Sequence, residues 1–238
     1  MTINGIDIST LKSRVLKRTI VPASKTILYE FLSDKALNPV KTAETGYQYK
    51  NMEITITISA VTEIELETLK GRITKLFSEC VITFEDIPSL VYTGFLSGDT
   101  EYEPISNLMG NLSVKLLVLM HGEEVSEVLE NTKVIAVGGT CETPCIIEIT
   151  PSISMMSLQI DGIARDKITG KNEPIVINNL IKDTKIVIDG EQCIVMQNGS
   201  NKFQDCDMWS FPSLIPGSNT ITLSSECNMQ IKFKPRYI

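Results

Sequence analysis

The sequence predicts a mainly β protein with an α+β first domain and a second domain that is a β-sandwich. Three observations lead to this fold class. Segments in which apolar and polar residues alternate recur along the whole chain, and this period of two is typical of strands. Only one stretch, in the first half, has apolar residues at helical spacing. After residue 130 the alternating segments are short and are separated by turn residues, as in a sandwich.

The composition indicates a folded chain and argues against some classes of partner. The 238 residues are 42% hydrophobic and 21% charged, which supports one large or two modest domains. The net charge is −7, divided as −2 in residues 1–120 and −5 in residues 121–238. Because phosphate binding requires clustered Lys and Arg, we expect neither nucleic acid nor a membrane surface as a partner. The sequence shows no signal peptide or apolar run of ~20 residues, so we expect assembly in a cytoplasm.

The first domain is predicted to contain strands and one helix. Residues 26–32 and 52–58 are the first predicted strands, and the second of them alternates Ile with Glu and Thr. The helix is predicted over residues 62–78, because Thr62 and Glu65 have the spacing of a capping box. Its expected apolar face consists of Ile64, Leu66, Leu69, Ile73, Leu76 and Phe77.

Three further strands, at residues 80–84, 90–96 and 112–119, complete the first domain. The pattern does not decide whether the strands before and after the helix are neighbours. The polar connector 97–110 is predicted as a surface loop that contacts a partner. The charged stretch 121–131 is predicted as a linker. The domains are therefore expected at residues 1–125 and 132–238.

The second domain is predicted as a series of short strands joined by tight turns. Residues 185–196 form the clearest hairpin, because Asp189-Gly190 lies between two apolar runs and favours a type I′ turn. Asn198-Gly199 marks the next turn. The other predicted strands are 133–137, 145–149, 156–160, 174–177, 219–223 and 231–234.

The C-terminal segment places apolar residues ahead of a Pro-Gly turn. Pro216 fixes φ at the corner, and Gly217 can adopt the positive φ that a type II turn requires. Trp209 is the single tryptophan, and its indole can either pack in the core or stack on a sugar ring. The apolar neighbours Phe211 and Leu214 favour the core.

No catalytic site and no cofactor are predicted. His121 is the single histidine and lies in the predicted linker, so it is interpreted as a surface residue instead of a catalytic base. The chain lacks the motifs of serine hydrolases, phosphate loops, dinucleotide folds and zinc proteases. The carboxylate pairs Glu101/Glu103 and Asp205/Asp207 lie in polar segments and are interpreted as solvated side chains, not as a glycosidase pair. We therefore expect that the protein is not an enzyme.

No metal site is predicted, and the cysteines are interpreted as free thiols, mostly buried. Their spacing lacks the paired Cys or Cys–His arrangement of a zinc site. A Cys141–Cys145 disulfide is the alternative, which a reducing compartment disfavours. Asp161-Gly162 and Asp183 are interpreted as turn residues, because no calcium-loop pattern surrounds them. The six cysteines are Cys80, Cys141, Cys145, Cys193, Cys206 and Cys227.

Two C-terminal motifs resemble one known family. The pattern Phe-Pro-x-Leu-x-Pro-Gly-x-Asn-Thr-Ile at residues 211–221, followed by Pro-Arg-Tyr at 235–237, resembles the end of distal tail proteins of siphovirus-type phages and related phage tail-like particles. The opening Ile3-Asn4-Gly5-Ile6-Asp7 and the Ile188-Asp189-Gly190 hairpin are similar to the same family. The family-motif residues, interpreted as structural, are Trp209, Phe211, Pro212, Leu214, Pro216, Gly217, Asn219, Pro235, Arg236 and Tyr237.

The resemblance implies a ring-forming first domain and a galectin-like or carbohydrate-module-like β-sandwich as the second. It also implies a homohexameric ring at the virion tail tip or in the baseplate of a phage tail-like particle, assembled in the host bacterial cytoplasm. This ring would join the tail tube protein to the tail-associated hub or receptor-binding proteins. The His-Asn-Pro-Arg cluster of galectins has no counterpart here, so the resemblance gives no reason to expect sugar binding. The alternative function is a carbohydrate-binding module of a tail adsorption device that contacts the host cell wall.

Overall fold

The structure is a computed structural model that describes residues 1–24, 27–30, 40–44, 49–166 and 170–238. The chain divides into two compact units, Met1–His121 and Gly122–Tyr237. Antiparallel strands dominate both units, and α1 is the one α-helix among the described residues. The expectation of a mainly β fold with one helix in its first half is confirmed. Among the residues that the structure describes, no helix combines the length and the apolar character needed to cross a bilayer.

The first unit is built from long strands and one helix. Its elements are β1 (Thr2–Ile3), β2 (Ile6–Asp7), a 3-10 helix (Ile8–Leu11), β3 (Ser13–Val21), β4 (Ile27–Glu30), β5 (Val40–Glu44), β6 (Lys50–Ser59), α1 (Glu63–Leu76), β7 (Glu79–Phe84), β8 (Ile87–Leu96), β9 (Glu101–Ser106) and β10 (Met109–His121). The strand predicted at residues 26–32 corresponds to β4, and its remaining residues lie outside the described ones.

The main sheet of the first unit curves around a single core. Its strand order is β2-β1-β7-β8-β10-β6-β3, and β9 pairs with the first part of β10. Arg18, on the end strand β3, forms an ion pair with Asp86 in the β7–β8 turn at 2.7 Å and lies 4.1 Å from the ring centroid of Phe84. Because β3 and β7 are far apart in the strand order, these side-chain contacts show that the sheet curves until β3 lies near the β7–β8 turn. The strands on either side of the helix, β6 and β7, are not neighbours.

The helix α1 begins where the sequence predicts. Thr62 Oγ1 accepts a hydrogen bond from Glu65 N at 3.1 Å, and Glu65 Oε2 accepts one from Val61 N at 2.7 Å. The buried side chains Leu66, Leu69, Ile73 and Phe77 pack against the sheet. The prediction that Ile64 belongs to this face is wrong, since 81% of Ile64 is exposed. At about 100° per residue, Ile64 points to the side of the helix opposite Leu66 and Ile73.

Two stretches predicted without regular structure contain strands. The connector 97–110 includes β9, which forms an antiparallel hairpin with β10. The predicted linker 121–131 includes β11 (Val125–Leu129), which pairs with the strand Asn228–Phe233 in the second unit. The strand β9 contains Glu101 and Glu103, and the five-residue β11 is flanked by Glu123, Glu124 and Glu130. Both strands lie at sheet edges, where one side of the strand faces solvent. Their composition therefore resembles that of loops.

The second unit contains short strands throughout. After β11 its elements are β12 (Thr132–Val137), β13 (Thr143–Thr150), β14 (Met155–Asp161), β15 (Ile175–Leu180), β16 (Ile186–Asp189), β17 (Ile194–Gln197), β18 (Ser200–Asn201), a 3-10 helix (Phe203–Asp205), β19 (Cys206–Asp207), β20 (Ser213–Leu214), β21 (Gly217–Leu223), β22 (Asn228–Phe233) and β23 (Arg236–Tyr237).

These strands form a two-layer β-sandwich. One sheet has the order β11-β22-β13-β16-β17-β18, with β20 paired to β13, and the other has the order β12-β21-β14-β15-β19. Alternate residues of both sheets point into one core, in which Ile147 and Ile231 of the first sheet meet Ile160, Ile177 and Ile221 of the second. The predicted β-sandwich is therefore confirmed.

The turns of the second unit follow the sequence signals, with one exception. The Asp189-Gly190 hairpin forms, but Asp189 pairs with Ile194 across a loop of residues 190–193, not a two-residue turn. Asp189 Oδ1 accepts hydrogen bonds from Glu191 N and Gln192 N, which stabilises this longer loop. The type I′ geometry occurs instead at Asn198-Gly199, with φ of 48° and 78° between paired Gln197 and Ser200. Gly217 has the predicted positive φ, 96°.

Candidate functional site

The residues weighed for catalysis are engaged in ordinary surface contacts. Glu101 Oε1 forms an ion pair with Lys115 Nζ at 3.0 Å. The pKa of Asp205 is lowered, mainly by its hydrogen bond from Lys202, so this carboxylate does not resemble a general acid. His121 Nε2 lies 2.9 Å from Thr93 Oγ1 at the end of β10.

The six cysteines are all free thiols in the structure, including Cys141 and Cys145. Burial raises the pKa of Cys80 and of Cys206 to about 11, and it also raises the pKa of Cys145 and Cys227. These four thiols are therefore protonated at neutral pH. Within the described residues no group of three or more His, Cys, Asp or Glu side chains is placed to hold a metal ion.

Trp209 is exposed, which contradicts the prediction that it packs in the core. The structure leaves 85% of this residue accessible to solvent. Leu214 is fully buried in the sandwich core, and Phe211 packs partly against it and stacks on Phe203 at 5.9 Å between ring centroids. Leu214 thus occupies the interior, Phe211 lies half-buried against the core, and the indole remains outside.

The backbone that carries Trp209 is held firmly on its C-terminal side. Ser210 Oγ accepts a hydrogen bond from Arg165 N at 3.2 Å and donates one to Arg165 O at 3.0 Å. Ser213 N donates to Ile163 O at 2.7 Å, and Pro212 O accepts from Cys145 N at 3.1 Å. A Cβ at Gly190 would lie 2.1 Å from Pro212 O, so only glycine permits this close approach. The indole is therefore presented by a fixed segment.

Trp209 lines a concavity of about 850 Å³ in the second unit, which we call the Trp209 pocket. It combines an aromatic side chain with acidic, basic and hydroxyl groups. Glu142 accepts a hydrogen bond from Ser213 Oγ, and Arg236 forms an ion pair with Glu191 beside the pocket. The polar and aromatic lining residues are Glu142, Arg165, Asp166, Glu173, Trp209, Ser210, Phe211, Ser213 and Arg236.

The remaining family-motif residues have varied environments. Asn219 is 2% exposed and closes the Pro-Gly turn, because its side chain accepts from Ile215 N at 3.0 Å and donates to Ile215 O at 2.8 Å. Pro235 is buried and its carbonyl accepts a hydrogen bond from Gly122 N at 2.8 Å. Pro212 is buried, Tyr237 is half-buried and Pro216 is exposed.

The first unit has a basic surface on its edge strand, which we call the β3 edge and define by Arg14, Leu16 and Lys17. Among the described strands β3 pairs with β6 alone, so its other side carries no ladder. A bulge between Val15 and Lys17 leaves Leu16 outside the pairing register, and 56% of Leu16 is exposed. Arg14 and Lys17 are exposed on either side of it.

The first unit also has an acidic groove between the start of α1 and the β9–β10 hairpin. This α1–β9 groove has a volume of about 740 Å³, and its exposed apolar side chains are Ile64 and Ile105. Glu63 and Glu67 line its helical side. Since β10 and β6 lie between β9 and β3 in the sheet, the groove and the β3 edge are separate surfaces. The connector 97–110, predicted from the sequence to contact a partner, supplies the strand side of the groove, whereas the β3 edge could not be predicted because it depends on how strands are arranged in the sheet.

The fold and its surfaces define a two-domain, mainly β protein with an exposed edge strand and a separate groove on the first unit and a mixed aromatic and polar pocket on the second. Comparison with known families assigns both parts. Residues 5–118 match the phage tail protein RIFT-related domain, and residues 138–237 match the C-terminal domain of the siphovirus-type tail component. The chain therefore belongs to the siphovirus-type distal tail proteins, which confirms the resemblance seen in its C-terminal motifs.

Solved structures agree with this fold. The crystal structure of the Dit protein of phage SPP1, described as a paradigm of the hub adsorption apparatus in phages that infect Gram-positive bacteria, matches with a TM-score of 0.77 and 15% identity, over 99% of this chain and 98% of that one. A chain of the phage P2 baseplate in its activated conformation with Ca matches with a TM-score of 0.52 and 13% identity, over 97% of this chain and 92% of that one. A chain of the same baseplate in its activated conformation with Sr matches with a TM-score of 0.52 and 12% identity, over 96% of this chain and 92% of that one. No curated protein sequence matches the chain.

Proposed function

We propose that this chain forms a hexameric ring at the tip of the virion tail, where it joins the tail tube to the tail-associated hub or receptor-binding proteins. The role is structural, without catalysis, and the ring assembles in the cytoplasm of the host bacterium. Membership of the distal tail family supports the location. The observation that carries the ring is the pair of separate, oppositely charged surfaces on the first unit.

A closed ring of identical chains needs two different surfaces on each copy, one of which binds the other surface of the next copy. The β3 edge offers Arg14 and Lys17 around exposed Leu16. The α1–β9 groove offers Glu63 and Glu67 around the exposed apolar side chain of Ile64. Glu67 also forms an ion pair with Lys70 at 2.5 Å, so Glu63 contributes the unbalanced negative charge. Opposite charges with apolar residues between them are the complementarity that such an interface requires. We place the contact between neighbouring copies at these two surfaces.

Charge reversal tests this assignment. The variant Arg14→Glu/Lys17→Glu makes the β3 edge acidic, and Glu63→Lys/Glu67→Lys makes the groove basic, so each variant alone places like charges against each other. We expect each variant alone to remain monomeric in light scattering. An equimolar mixture restores opposite charges at every contact, and we expect it to form rings of alternating variants.

The matched control reverses an exposed lysine of the second unit, Lys182→Glu, and should leave ring formation unchanged. Rings from either double variant alone would move the contact to another surface. If the wild type forms rings but the equimolar mixture of the two variants does not, the contact must also lie on another surface. A wild type that forms no rings would count against the hexamer itself.

A further inference from the structure

The Trp209 pocket plays no part in the proposed ring, and its composition is unusual for a solvated surface. A tryptophan that is 85% exposed leaves a large apolar area in water, while the sandwich core is complete without it. The hydrogen bonds of Ser210, Pro212 and Ser213 fix the adjoining backbone. An exposed aromatic face on a fixed segment loses little conformational entropy when a ligand binds to it.

We propose that the Trp209 pocket is a binding site for a neutral saccharide. A sugar ring has a face of C–H groups and an edge of hydroxyl groups, and it therefore needs an apolar plane beside hydrogen-bonding groups. The indole of Trp209 supplies the plane. The carboxylates of Glu142 and Glu173 supply acceptors around it, and the guanidinium of Arg165 supplies donors.

The charge of the pocket selects a neutral ligand. Glu142, Asp166 and Glu173 carry three negative charges against the two positive charges of Arg165 and Arg236. This balance gives no attraction for a polyanion, which would require clustered basic groups. It suits an uncharged molecule that accepts and donates hydrogen bonds at the same time.

The shape of the pocket favours a small ligand over a protein partner. Its volume of about 850 Å³ falls in the range of about 300–1,000 Å³ that is typical of small-molecule sites. A protein interface of normal size would need a much larger surface, with charged groups depleted at its centre. Here charged groups surround the aromatic side chain, so we favour a short oligosaccharide.

Intrinsic fluorescence tests the proposal directly, because Trp209 is the single tryptophan of the chain. The 238-residue chain is titrated with short neutral oligosaccharides of glucose, galactose, rhamnose and N-acetylglucosamine, and with poly(glycerol phosphate) as the anionic probe. We expect at least one neutral probe to shift the emission to shorter wavelength and to protect the indole from acrylamide quenching. We expect the anionic probe to do neither.

Calorimetry then measures how strongly the neutral probe that binds the wild type also binds two pocket variants and one control variant. Trp209→Ala should weaken binding at least tenfold and Glu173→Gln several-fold, with unchanged far-ultraviolet circular dichroism. Met156→Ala removes a side chain of a residue that is 89% exposed and lies outside the pocket, and should bind like the wild type.

Absence of protection by every neutral probe at millimolar concentration would overturn the proposal. Protection by the anionic probe alone would overturn it too. Protection that appears without any sugar when the protein assembles would show instead that Trp209 is a contact between proteins.

Discussion

Leu214 and Trp209 lie five residues apart in one motif and have opposite environments. Leu214 is fully buried in the sandwich core, where it belongs to the edge strand β20 paired with β13. Trp209 is 85% exposed and adds nothing to that core. Hydrogen bonds of the intervening residues Ser210 and Ser213 fix the backbone that carries both side chains.

The stability of the second unit should therefore depend on the smaller side chain. We expect Leu214→Ala to lower the free energy of unfolding by about 2–5 kcal/mol, since it removes buried methyl groups and leaves a cavity. Trp209→Ala should change it by less than about 0.5 kcal/mol, as is usual for an exposed site. Urea unfolding followed by circular dichroism measures both, because the second variant has no tryptophan. A larger loss for Trp209→Ala would contradict the exposed position of the indole.

At this scale the sequence predicts the backbone better than the side-chain environment. Thr62 as N-cap, the positive φ of Gly217 and the turn at Asn198-Gly199 are confirmed, because each depends on interactions within a few residues. The exposure of Trp209 depends on the backbone that follows it. Ser210 and Ser213 bind that backbone to Arg165 and Ile163, which are distant in sequence. Apolar neighbours alone could not reveal it.

Among the elements, β13 shows how charge stabilises the outer face of the sandwich. Glu148 lies on β13, and its Oε1 forms an ion pair with Lys232 of β22 at 2.8 Å. Its Oε2 forms a second pair at 2.6 Å with Lys185, next to β16 on the other side of β13. Only 18% of the Glu148 side chain is exposed. The hydrogen bonds from Lys185 and then Lys232 lower the pKa of Glu148.

This ion-pair cluster predicts a pH-dependent contribution to stability. A pKa that is lower in the folded state gives stability that is present above the unfolded pKa of about 4.3 and is lost as the pH falls through the folded pKa. We expect Glu148→Gln to lower the free energy of unfolding by about 1 kcal/mol at pH 7. This difference from the wild type should disappear at a pH at which the wild-type carboxylate is protonated.

Unfolding by urea at a series of pH values measures the difference. The exposed carboxylate variant Glu226→Gln serves as control and should show little effect at any pH. A cost of Glu148→Gln that stays constant down to acid pH would mean that packing, not charge, holds the three side chains.

The elements that the sequence predicts are those with a buried face. Strands β6, β10, β13 and β22 alternate cleanly because one side of each faces a core. The strand β3 escapes prediction, since the bulge at Leu16 shifts its alternation by one residue. The edge strand β9 is mostly polar, and the edge strand β11 is short and flanked by Glu residues, so neither could be told from a loop.

For the whole molecule, the order of units and the C-terminal motifs lead to the distal tail family, and the family models confirm it over both units. The two surfaces proposed for the ring contact could be predicted only in part. Residues 97–110 are expected from the sequence to contact a partner, but the α1–β9 groove exists only after β9 pairs with β10 beside the helix. The β3 edge depends in the same way on the position of β3 at the end of the sheet.

The mass of the native assembly tests the central claim most directly. Light scattering of the full-length wild type over a concentration series, with negative-stain imaging of the same samples, measures both stoichiometry and shape. We predict a species of six chains of 26.4 kDa each, visible as a ring with a central hole, whose population grows with concentration by mass action. A monomer at every concentration, or an open filament in place of a closed ring, would contradict the claim.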